Sequence, residues 1–129
     1  MRRPIEIRKA HFPGRAPVDS YGNGGFRFAD MSHRGSILCL PSGIHGWEPA
    51  EPGTMEPADF ARVLAEAEAI EILIVGTGTE LRRLSPGLRQ VLREAGIAAE
   101  PMSTGAAVRT YNVLLAEDRA VAAALLAVE

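Results

Sequence analysis

Cys39 is the only cysteine in the chain, which excludes an intramolecular disulfide and any cysteine-built metal cluster. That composition suits a reducing compartment. Lysine is equally scarce: Lys9 stands alone, and every other basic residue is arginine. The charges nearly cancel, with a formal net charge of −2 and a pI near 5.9, so the basic footprint of a nucleic-acid binder is missing. Long apolar runs are missing too. The stretch from 120 to 128 is about half of the ~20 residues that a membrane span requires. At the start, Met1-Arg2-Arg3 leads into Pro4 and an alternating segment rather than a signal-peptide apolar core, and Glu6 arrives too early for a transit peptide. Cytoplasmic location is the expectation.

What remains is an ordinary globular composition, 47% apolar and 23% charged, in 129 residues. That length predicts a single domain, 1–129. Its centre is Ile72-Leu73-Ile74-Val75, an unbroken apolar run that is mostly β-branched and that Gly76 stops. Such a run predicts a strand covered on both faces. Amphipathic helical patterns flank it, as they do around the central strand of an α/β sheet.

Ile5-Glu6-Ile7-Arg8 alternates and predicts a half-exposed strand. The glycine-rich Tyr21-Gly22-Asn23-Gly24-Gly25 feeds the alternating Phe26-Arg27-Phe28, so it reads as a hairpin connection rather than a phosphate loop, which would enter a helix. Ser36-Ile37-Leu38-Cys39-Leu40 predicts a buried strand, with Cys39 an inert core thiol. Residues 42–53 read as a loop carrying His45 and Trp47. Trp47 either caps the core or anchors a partner.

Glu56-Pro57 opens a helix whose Phe60, Val63, Leu64 and Ala67 share one face. Ser85-Pro86 opens a second that stops at Gly96, with Leu81, Leu84, Leu88, Leu92 and Ala95 at helical spacing. Arg82, Arg89 and Arg93 fall on another face, read as solvated surface or as a patch for an anion or an acidic partner. A strand over 97–101 would complete a right-handed parallel unit. Ser103-Thr104-Gly105 caps a third helix carrying Ala107, Tyr111, Leu114 and Leu115. Alanine richness votes for helix over 120–128, and its continuous apolar run of strand length votes for strand.

Ligands of open α/β sheets favour the crevice beyond the carboxyl ends of parallel strands. Two loops meet that description: Gly76, Thr77, Gly78 and Thr79, and then Ser103, Thr104 and Gly105. With Arg109 one turn into the helix, they are candidate ligands for a small anion. Gly76 and Gly78 supply only part of a dinucleotide fingerprint, because Leu81 occupies the third glycine position. His11, His33 and His45 lack metal-ligand spacing, and no G-x-S-x-G elbow is present, so neither a metal nor a catalytic residue is assigned.

Several groups then occur in a telling order: Tyr21-Gly22-Asn23-Gly24-Gly25-Phe26-Arg27, Gly35-Ser36, Trp47, Ile72-Leu73-Ile74-Val75-Gly76-Thr77-Gly78, and Thr104-Gly105-Ala106-Ala107-Val108-Arg109-Thr110-Tyr111-Asn112. With them the chain resembles a small domain-of-unknown-function family. That family includes mitochondrial NADH dehydrogenase (complex I) assembly factor three and an adipogenesis-associated vertebrate member. The resemblance covers the chain from about Ile5 to its end. It implies a three-layer α/β fold with helices on a central mixed sheet and a last strand, within 120–128, running antiparallel. It implies no established enzymatic activity, no known cofactor, and assembly of a respiratory complex through protein contacts. Tyr21 and Trp47 are the candidate partner contacts. The alternative is a small-molecule binder or enzyme built on the two loops.

Overall fold

The structure, a computed structural model, describes residues 12–129. The strand expected at Ile5-Glu6-Ile7-Arg8, and His11, lie outside them. Phe12–Pro13 (β1) comes first. Ser20–Gly22 (β2), Gly25–Phe28 (β3) and Met31–Arg34 (β4) form a three-stranded antiparallel sheet. Ser36–Leu40 (β5) and Gly43–Trp47 (β6) are an antiparallel hairpin. Short 3-10 helices at Pro52–Thr54, Pro57–Phe60 and Ala67–Ala69 surround Ala61–Ala65 (α1). Then come Ile72–Gly76 (β7), Pro86–Glu94 (α2), Ala98–Met102 (β8), Thr104–Ala116 (α3) and Val121–Leu125 (β9).

The main sheet has the order β1-β6-β5-β9-β7-β8, so β7 sits inside it between β8 and β9. Side chains alternate across its plane. Leu38, Leu40, Leu73, Val75, Ala122 and Ala124 pack with Val63 of α1 and Leu88 and Leu92 of α2. Ile37, Cys39, Ile74, Val121, Ala123 and Leu125 pack on the opposite side, with Val108 and Tyr111 of α3 and Phe26 and Phe28 of the small sheet. This is the three-layer arrangement that the family resemblance implies. Each large side chain so buried contributes about 1.5–3 kcal/mol.

The alanine-rich C-terminal segment is a strand, but its direction corrects the expectation. β9 runs antiparallel to β5 and parallel to the central strand β7. It fills the slot between two strands that would otherwise present unpaired backbone groups to the core. Each such group costs about 1–3 kcal/mol, more than the few tenths per residue by which alanine favours helix. Small side chains are what a strand covered by α3 on one face and by the α1–α2 layer on the other has room for.

The glycine loop is a hairpin turn, as its sequence suggests. Asn23 and Gly24 both take positive φ, +53° and +79°, which matches the right-handed twist of the flanking strands. The helix expected from Glu56 onward is broken into 3-10, α and 3-10 pieces. Glu56 and Asp59 close a capping box, and Phe60 and Val63 are buried as expected. Beyond them the Ala-Glu alternation over 65–69 offers only alanine to the sheet, too little apolar surface to hold a longer helix.

Neither β4 nor β6 is legible in the sequence, because polar residues fill most of β4, histidine and glycine interrupt β6, and no β-branched run marks either. Gly43 is required where β6 passes β1: a Cβ there would collide with the Phe12 carbonyl.

Candidate functional site

The three mutually parallel strands β8, β7 and β9 end on one rim, where Gly76 stands level with Met102 and Leu125. The two candidate loops meet there. Their backbones are stitched together: Thr77 N–H donates to Met102 O at 2.8 Å, Thr104 N–H to Gly78 O at 2.8 Å, and Leu126 N–H to Gly76 O at 3.0 Å. The Thr104 hydroxyl donates to Leu126 O at 2.8 Å and accepts from Gly78 N–H at 3.0 Å. Thr77 Oγ1 donates to Glu80 O at 2.6 Å and accepts from Arg82 N–H at 3.0 Å. Thr77 and Thr104 are 1% and 0% exposed. Both hydroxyls therefore have internal partners in both roles.

Glycine at 76 lets the loops close this tightly. A Cβ there would sit 3.0 Å from Leu125 Cδ2 and 3.1 Å from Thr104 Cα. Gly78 turns the chain with φ of +104°. Ser103 Oγ caps α3 by accepting from Ala106 N–H at 3.4 Å. Thr79 and Arg109 are exposed. Gly105 lies under the ring of Tyr21, whose hydroxyl occupies the space a Cβ would need. Four surface depressions of about 340 to 530 Å³ lie elsewhere on the molecule, and none is lined by either loop.

Further along α3, Tyr111 and Asn112 show what the last motif of the resemblance does structurally. The Asn112 amide brackets Val18, accepting from its N–H at 2.9 Å and donating to its carbonyl at 2.8 Å. Tyr111 Oη donates to Ala16 O at 3.2 Å. An asparagine side chain thus stands in for a strand partner and fastens the segment leading into β2 onto α3.

The sequence pattern described as "Protein of unknown function (DUF498/DUF598)" matches residues 18–126, starting at that bracketed Val18. The chain belongs to this family.

A DUF498/DUF598 relative, an uncharacterised protein of Rhodobacter capsulatus, is 44% identical over 119 residues, which is 92% of this chain and 90% of that one. Mouse NADH dehydrogenase [ubiquinone] 1 alpha subcomplex assembly factor 3 is 32% identical over 125 residues, 97% of this chain and 68% of that protein. The family resemblance drawn from the motifs is thereby shown. A solved Bartonella henselae structure, described as an outer membrane protein, superimposes with a TM-score of 0.89 at 65% identity, covering 92% of this chain and all of that one. Among the described residues, no helix is long and apolar enough to cross a membrane.

The two candidate contact aromatics part company in this DUF498/DUF598 chain. Trp47 is 9% exposed; its indole N–H donates to Asp59 O at 2.7 Å, and its ring meets Phe60 edge-on at 5.3 Å. It serves the core. Tyr21 is 42% exposed, a large apolar surface on the small sheet. Cys39 is buried, and desolvation pushes its thiol up to about 12, while its hydrogen bond with Tyr111 pulls the other way. A thiol so high is protonated at neutral pH and inert.

One cluster escaped the sequence reading because it joins a turn to a distant helix. Ser42 Oγ lies 3.1 Å from His45 Nε2 and donates to the Glu66 carboxylate, which also accepts from Ser42 N–H at 3.0 Å. A hydrolytic triad needs serine to give its proton to histidine and the carboxylate to orient that histidine from behind. Here the carboxylate takes the serine proton directly, so the cluster pins the β5–β6 turn to the end of α1. Among the described residues no group of three or more His, Cys, Asp or Glu is placed to hold a metal ion.

Proposed function

We propose that this chain is a non-catalytic protein-interaction module that helps to assemble a respiratory NADH dehydrogenase. It works from the cytoplasmic side of the membrane. The observation that carries this reading is the match to mouse assembly factor 3 along 97% of the chain. The rim supports it. A doubly wound sheet would hold a small ligand there, and the buried hydroxyls of Thr77 and Thr104 already have internal partners. The alternative, a small anion held by Gly76–Thr79, Ser103–Gly105 and Arg109, has only the exposed Thr79 among its threonines to draw on, since the Thr77 and Thr104 hydroxyls are taken, and no further observation favours it.

Deleting the gene in its source cell and resolving membranes on native gels stained for NADH oxidation tests the reading. Assembled complex should fall several-fold and return when the full chain is supplied. Wild-type levels of complex in the deletion strain would overturn it.

A further inference from the structure

The basic face of α2 is the one motif of the sequence that neither the core nor the rim absorbs. Arg89 and Arg93, one turn apart, are exposed, and together with Gly96 they line a groove of about 380 Å³ against Ala98, Ala99 and Glu100. Neither guanidinium joins an ion pair among the described residues, where the recorded pairs are Arg82–Glu80 and Arg119–Glu71. Ile97 and Ala99 turn toward the α2 layer, whereas Met102 packs on the α3 side. By alternation Glu100 shares the Met102 side, so its carboxylate lies across the strand from the two arginines.

The strand beneath the groove is the open edge of the sheet among the described residues, where β8 has β7 as its sole neighbour. Ala98 N–H donates to Glu71 O, and Met102 O accepts from Thr77 N–H, so the even-numbered residues of β8 face β7. In a parallel ladder the odd-numbered ones then face outward. Ala99 offers both its N–H and its C=O; Pro101 has no N–H to offer. Proline closes the carboxyl half of the edge to further pairing. The half left open is the one beneath Arg89 and Arg93.

We infer that this edge docks an extended acidic segment of a protein partner as a seventh strand. The segment pairs its backbone with Ala99 and sets its carboxylates against Arg89 and Arg93. An added strand gains main-chain hydrogen bonds from the edge and selectivity from the side chains above it. Two unpaired guanidiniums four residues apart match carboxylates on alternate residues of an extended chain and repel a basic one. This site rests on the assembly-module reading and gives that module its contact surface. Its test is made on purified protein, so it stands or fails apart from the assembly assay.

The probe is a capped seven-residue peptide alternating glutamate with valine, titrated to millimolar concentration into the full chain labelled with 15N. The largest shifts should fall on the Ala99 amide and the Arg89 and Arg93 Nε–H groups, and exchange of the Ala99 amide should slow. Reversing both charges (R89E with R93E) should weaken binding at least tenfold, as should the glutamine version of the peptide. Half-molar salt should weaken it several-fold. Ala99→Pro, which removes the outward donor, should weaken binding of the peptide at least tenfold, with an unchanged spectrum elsewhere verifying its fold. The inference is overturned by shifts centred elsewhere, by no shift at millimolar peptide, or by equal binding of the glutamine peptide or the charge-reversed chain. Protection of Ala99 that grows with protein concentration alone would also overturn it, since the occupant would then be a second copy.

Discussion

The carboxyl rim of the parallel strands and the outer edge of β8 lie a few residues apart on the same sheet, yet they treat polar groups in opposite ways. At the rim, hydroxyls and backbone groups of three strands satisfy one another within 2.6 to 3.0 Å, and Thr77 and Thr104 are sealed from water. At the edge, the outward backbone of Ala99 and the guanidiniums of Arg89 and Arg93 face solvent beside an open groove. A polar group with a buried partner holds the fold, and its loss is costly. A polar group left at a surface contributes little to stability and is available to another molecule. The position at which α/β sheets commonly hold ligands is, in this chain, a structural joint.

The sharpest way to break that contrast is Thr104→Val. Valine keeps the shape but orphans the Leu126 carbonyl and the Gly78 amide in a site with no exposure. At about 1–3 kcal/mol for each orphan, urea unfolding should show a loss of about 3 kcal/mol. A loss below about 1 kcal/mol would mean that the rim is not closed as described. A rise in wild-type Tm with phosphate that this variant abolishes would return the rim to the list of ligand sites.

Asn112→Ala tests the same logic farther from the rim. It removes both hydrogen bonds to a half-buried backbone position at Val18, and the loss should be about 2 kcal/mol. Amide exchange at Val18 should accelerate by more than the global destabilisation accounts for, because the segment before β2 is released first.

The next effect is alkaline. The Cys39 thiol titrates near 9.0 when free and near 12 when buried, with desolvation the main cause and the Tyr111 hydrogen bond opposing it. The folded state holds its proton more tightly, so this contribution is complete below pH 9 and is lost as pH rises from 9 to 12. Stability should fall by about 1.4 kcal/mol per pH unit in that window. Tyr111 is shifted upward too, again chiefly by burial, and steepens the fall above pH 10. Cys39→Ala should flatten the lower part of the curve in pH-dependent urea melts, and native Cys39 should resist thiol reagents at pH 8.

How much of this was legible in the sequence follows from how local each signal is. The run Ile72–Val75, the caps Ser85 and Ser103, and the Asn23-Gly24 turn are written in adjacent residues, and each stands where its pattern puts it. The strand β9 was ambiguous because alanine favours helix in isolation, and only neighbours on both sides decide otherwise. The rim was the harder case. Thr77 and Thr104 look like anion ligands because glycine and hydroxyl residues after a strand suit an anion. Their actual partners include Leu126, which is 22 positions from Thr104. Asn112 and Val18 are 94 apart, so no spacing rule reaches them. Trp47 likewise shows its role only through Asp59 and Phe60. The arginines of α2 were visible from the start, but the open edge beneath them depends on strand order, which no local pattern encodes.

The smallest effect separates the two glycines that flank this joint. A Cβ at Gly76 presses on backbone and on Leu125, neither of which can move without opening the rim. At Gly105 the obstacle is the end of the Tyr21 side chain, which is 42% exposed and can swing into water. Alanine there also favours the helix by up to about 1 kcal/mol over glycine. Displacing the tyrosine costs a comparable amount of buried apolar contact. Gly105→Ala should therefore change stability by no more than about 0.5 kcal/mol, while shifting the Tyr21 ring resonances and increasing its fluorescence quenching by acrylamide. A loss of 2 kcal/mol or more would mean that Tyr21 is locked to α3 as firmly as the threonines are locked to the rim. The small sheet would then join the structural half of the molecule, and Tyr21 would no longer be free to serve as a contact.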